Sequence, residues 1–156
     1  MTQRLRQVLE NLLKIDPNQV LDQILARPEF RDFILDLVRQ RQLFEKGEDG
    51  LGRKLRSEFA IGGKVYATFT EILKEAKNQP TDRVTLKDTG AFYRSFRLKI
   101  TRTFFEIDAD TRKADGDLAD TWGEAILGLQ DESLQMLIDR IRNEMAPIII
   151  KEALAA

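Results

Sequence analysis

The chain has 156 residues, 42% of them hydrophobic and 33% charged, which suits one globular domain with a single core. Its 25 basic and 26 acidic residues leave a net charge of -1, a balance that points away from nucleic acid or an anionic membrane as the main partner. It contains neither Cys nor His; this removes disulfides, thiolate chemistry, Cys-ligated zinc and the commonest general base, and leaves any catalysis to carboxylates, Lys, Tyr or Ser.

The first third reads as helices. Leu5, Val8, Leu9, Leu12 and Leu13 form an amphipathic stripe. Asp16 and Pro17 then cap and open a second helix, with Val20, Leu21, Ile24 and Leu25 on its apolar face. Pro28 starts a third, lined by Phe30, Phe33, Ile34, Leu37, Val38 and Phe44, to about residue 45. The N-terminus is charged and lacks an apolar signal core, and no apolar run is long enough to span a membrane, so a soluble protein made in a cytoplasm is expected.

Residues 47–63 change character, holding five of the nine glycines: Gly47, Gly50, Gly52, Gly62 and Gly63. No Gly-Lys-Ser/Thr or Gly-x-Gly-x-x-Gly is present, so a flexible connection is expected rather than a phosphate loop. Arg53, Lys54 and Arg56 could meet DNA, but Glu45, Glu48, Asp49 and Glu58 cancel most of their field. Tyr66, Phe69, Leu73 and Ala76 space out a short helix.

"DTGAFYRSF" reads as one or two helical turns capped by Asp88 or Thr89, with Phe92 and Phe96 on one side. The period then becomes two. Phe96, Leu98 and Ile100 alternate with Arg97, Lys99 and Thr101, predicting an antiparallel hairpin near 96–108 with its turn at Arg102-Thr103. "DADTRKADGDLAD" is an acidic stretch. As an EF-hand loop starting at Asp108 it places Arg112 and Lys113 at positions five and six, so that reading fails and a solvated hairpin exit is expected. Asp131 caps a long final helix with Leu134, Leu137, Ile138, Ile141 and Met145 on its stripe, and Pro147 should kink it. The fold class is therefore α+β: N-terminal helices, a short antiparallel sheet and a long C-terminal helix. One domain spans 1–156, with a helical part at 1–45, a Gly-rich loop at 46–64 and an α+β core at 65–156.

Asp88-Thr89-Gly90 also spells the aspartic-protease motif, for which a single copy requires a homodimer. Its surroundings oppose that reading. Lys87 stands where an apolar strand residue belongs, and "AFYRSF" suits a helix where strands are needed. The protease through Asp88 is kept as the alternative.

Leu86, Thr89, Gly90, Phe92 and Ser95, leading into a hairpin, resemble the motif of the tail-completion (neck) proteins of long-tailed bacteriophages. "WGEAILGL", with Trp122, Gly123, Ile126, Leu127 and Leu129, resembles that family's second landmark, and the likeness covers about residues 47–154. It implies a structural protein at the virion's head–tail junction: a ring, six-fold as a tail is, bound to neck or portal adaptor and tail-tube proteins. It implies no catalytic residue, cofactor or metal, no membrane, and DNA only as cargo. Local readings stay beside the functional ones. Thr89-Gly90 suits a cap and turn, Phe92-Tyr93 suits a core, and Trp122 is open between core and interface anchor.

Overall fold

The computed structural model describes residues 3–57, 62–101 and 104–155. The protein is α+β, with helices α1 (Gln3–Lys14), α2 (Pro17–Leu25), α3 (Pro28–Asp36), α4 (Thr68–Ala76), α5 (Ala91–Ser95), α6 (Leu118–Trp122) and α7 (Asp131–Leu154). Two antiparallel pairs complete it: β1 (Arg97–Ile100) with β2 (Phe105–Asp108), and β3 (Arg112–Lys113) with β4 (Gly116–Asp117).

The chain divides into two compact units, Met1–Asp32 with Gln135–Ala156, and Phe33–Leu134. In the first, Asp16 caps α2 as expected, accepting from the Asn18 N–H at 2.9 Å, and Pro17 takes the first helical position. Val20, Ile24, Phe30 and Ala153 are buried. Arg27 pairs with Glu144 at 2.8 Å, and Asn11 donates to the Ala153 and Ala155 carbonyls, each at 3.1 Å. The stripe on α1 has no buried residue.

In the second unit the third predicted helix keeps its extent but changes its winding. From Leu37 to Lys46 it is π-helical and closes at Gly47, whose φ is 63°. The wider turn places Gln42 fully inside. There its Nε2 donates to the Gly128 carbonyl at 2.9 Å and its Oε1 accepts from the Gln130 N–H at 3.0 Å. Within the Gly-rich segment, residues 48–54 are held by specific bonds rather than left as the flexible connection expected from composition, and residues 58–61 lie outside the described residues. Buried Asp49 accepts from the Leu51 and Arg53 N–H groups, both at 2.9 Å, and Glu48 bridges Lys54. Gly50 is needed for close approach: its N–H donates to the Ala125 carbonyl at 2.7 Å, and a Cβ there would lie 2.6 Å from the Gly128 backbone.

The predicted hairpin is present, in the register Arg97↔Asp108, Leu98↔Ile107, Lys99↔Glu106, Ile100↔Phe105. Its expected turn, Arg102-Thr103, lies outside the described residues. The acidic stretch after it is more than a solvated exit. It forms the β3–β4 hairpin, and Asp117 caps α6 by accepting from the Ala119 N–H at 2.8 Å. The helix at 68–76 faces the opposite way from its predicted stripe: Phe69 is 71% and Leu73 43% exposed, while Lys74 is 9% exposed. On α7, Asp131 is the first helical residue rather than its cap, and the helix runs through Pro147. Ser133 and Leu137 are buried there, whereas Leu134 and Ile138 are exposed.

Candidate functional site

The segment 84–95 is held in the second unit by a set of buried polar contacts. Thr85 is fully buried and bonded at each polar atom. Its N–H donates to Tyr66 Oη at 3.1 Å, its carbonyl accepts from Tyr93 Oη at 2.5 Å, and its Oγ1 accepts from Lys74 Nζ at 3.3 Å. The next residue, Leu86, is buried with φ 53°. That left-handed conformation costs a side chain like Leu about 1–2 kcal/mol and persists only where its surroundings hold it.

The chain then turns through Thr89-Gly90. Thr89 Oγ1 accepts from the Ala91 N–H at 3.3 Å, and the Thr89 carbonyl accepts from Arg94 Nη1 at 3.1 Å. Gly90, at φ 81°, is the residue that opens α5, and a Cβ there would meet Arg94 Nη1 at 2.9 Å. Of the two expected caps, Thr89 therefore supplies the bond. Asp88 instead turns outward to an ion pair with Lys77, and that hydrogen bond holds its carboxyl below the usual range.

Phe92 lies inside, 5.0 Å from the Phe96 ring and 6.0 Å from Tyr93. Ser95 joins this turn to the hairpin's exit: its Oγ donates to the Phe92 carbonyl at 2.7 Å and accepts from the Asp110 N–H at 2.9 Å. Together Leu86, Thr89, Gly90, Phe92 and Ser95 line one cleft of about 360 Å³ with Asp88 and Ala91, and with Asp110, Arg112, Lys113, Ala114 and Asp115 from the second hairpin. Leu86, Ala91, Phe92 and Ala114 give the cleft apolar lining, and Asp88, Asp110, Arg112, Lys113 and Asp115 bring both signs of charge to it.

Trp122 and Gly123 are not part of this cleft. Trp122 is half-buried, and its Nε1 donates to the Arg56 carbonyl at 3.2 Å. Gly123 adopts φ 83° between α6 and the 3₁₀ turn Glu124–Leu127. Among the described residues no three acidic side chains gather as a metal site, and no helix is long and apolar enough to cross a membrane.

Three partners of Thr85, next to the cleft residue Leu86, were not singled out as such in the sequence: Tyr66, which accepts from its N–H, Tyr93, which donates to its carbonyl, and Lys74. Nothing in the local pattern separates Lys74 from exposed Lys77. The second hairpin did carry a signal, the Asp115-Gly116 pair where its Ala114-Asp115 turn enters β4. Comparison with family models, curated proteins and solved structures gives no match to this chain.

Proposed function

We propose that the chain is a structural component of a phage virion, forming a six-fold ring at the head–tail junction that completes or joins the tail to the neck or portal. The observation that carries the self-assembly is an outward apolar face on α4, where Phe69, Ile72 and Leu73 are 71%, 57% and 43% exposed. Three large apolar side chains at i, i+3 and i+4 on one exposed helix face are the composition of a protein contact rather than a solvated surface. The hairpin adds Phe104 and Phe105, which are also exposed. The phage assignment comes from the ordered resemblance at Leu86, Thr89, Gly90, Phe92 and Ser95, all of which line one cleft. In this reading the neighbours are copies of the chain, neck or portal adaptors and tail-tube proteins. The protein performs no chemistry, and DNA passes as cargo.

Electron microscopy of particles made without the protein tests the reading. Heads and tails that fail to join are expected, and normal numbers of tailed particles would refute it. Sedimentation of Phe69→Ser/Ile72→Ser tests the self-contact, with loss of the assembled species expected. The exposed, ion-paired Asp88 lends the protease alternative no support.

A further inference from the structure

Lys74 occupies a position where lysine is rarely found. Helix α4 turns it inward while its apolar neighbours stay outside. Its ammonium has three N–H donors and meets three acceptors: Gln79 Oε1 at 3.2 Å, Thr85 Oγ1 at 3.3 Å and the Lys87 carbonyl at 3.0 Å. The Tyr66 ring lies 4.9 Å from it. Two of those acceptors flank Leu86, the left-handed residue that lines the cleft.

We propose that Lys74 is the positioning residue of this cleft: its ammonium holds the 85–87 backbone so that Leu86 keeps its left-handed conformation, and loss of one proton lets that segment relax. The reason is a count of donors. A neutral amine has two N–H groups and a lone pair, so one of the three acceptors is left facing a lone pair. The cation–π contact with Tyr66 is lost at the same time.

The titratable groups around the amine are Lys77 just after α4, Tyr66 before it, Asp88 in the motif segment and Lys113 on β3; Lys87 meets it through its carbonyl, and Tyr93 holds the Thr85 carbonyl beside it. Burial lowers Lys74 from 10.5 to about 8; the Asp88 charge opposes this, while Lys113 and Lys77 reinforce it. Tyr66 and Tyr93 are pushed up by burial and stay neutral in that range, and Asp88 is held low and stays ionised. Of Lys74, Tyr66, Tyr93 and Asp88, only Lys74 therefore changes charge near pH 8.

The test is NMR of the isotope-labelled full chain from pH 6.5 to 9.5. It follows the Lys74 Cε resonance together with the Leu86 amide, methyl groups and HN–Hα coupling. Leu86 is expected to shift with the same midpoint as Lys74, and in Lys74→Met its signals are expected to be flat with pH. A Leu86 that stays still while Lys74 titrates, or a Lys74 that does not titrate in this range, overturns the proposal. Should Lys74→Met not fold, Thr85→Val removes one acceptor and keeps the amine. It is expected to lower the common midpoint, and an unchanged midpoint overturns the proposal equally. The readout needs no partner, so its failure is distinct from failure of the assembly reading.

Discussion

Helix α1 and the segment Val84–Tyr93 are opposite in what they bury. Helix α1 has the regular apolar stripe of a packed helix, yet it buries no residue, and Leu13 is 87% exposed. The segment Val84–Tyr93 mixes Thr, Lys, Asp and Gly with apolar residues; Phe92 and Tyr93 are buried as expected of a core pair, and the polar Thr85 is fully buried with them. Periodicity tells which residues can be buried together. Whether they are depends on what the rest of the chain brings to them, and buried polar atoms are tolerated where each has a partner.

The largest expected effect breaks the segment at its aromatic centre. Phe92→Ala should cost about 3–5 kcal/mol, read as a fall in the urea midpoint, because it empties a site between Tyr93 and Phe96. Next is pH. Lys74 titrates at about 8 when folded against 10.5 otherwise, so between these values the unfolded chain binds the proton more tightly. Stability therefore rises with pH, by about 2 kcal/mol between pH 8 and 10. Urea unfolding across that range should show the rise, and Lys74→Met should lose it. Gly90→Ala comes third, at about 1–2 kcal/mol, since it places a side chain at positive φ against Arg94. The smallest effect is on the other side of the comparison. Leu13→Ala on α1 should change stability by less than about 0.5 kcal/mol. A larger loss from Leu13→Ala than from Gly90→Ala would invert the comparison.

The helix starts at Pro17 and Pro28 were readable because proline and its capping neighbour act within a few bonds. The β1–β2 hairpin was readable because alternation over four residues is local too. The face of α4 was not. Phe69 and Leu73 look like the inner stripe, and the inward choice of Lys74 depends on Gln79, Thr85 and the Lys87 carbonyl arriving from the following segment. The π-helical winding of 37–46 has the same origin. Gln42 is drawn inside because Gly128 and Gln130, more than eighty residues away, offer the acceptor and donor that satisfy its amide. At the cleft, Leu86, Thr89, Gly90, Phe92 and Ser95 were found by their order in the sequence. Their surroundings from 110–115 were not, because the Ser95–Asp110 bond joins segments separated by the whole hairpin.

By itself, then, the sequence determined the α+β class, the helix boundaries set by Pro and Asp, the strand pairing of the hairpin and the need for glycine at the turn before α5. These rest on backbone dihedrals and on hydrogen bonds between near neighbours. The tertiary structure alone decided which face of α4 points inward, that Asp88 meets Lys77 rather than capping α5, and that a lysine ammonium bonds Thr85 and the Lys87 carbonyl on either side of Leu86. Each of these is a contest between burying apolar surface and satisfying a polar group, and the partners that settle it lie outside the local window.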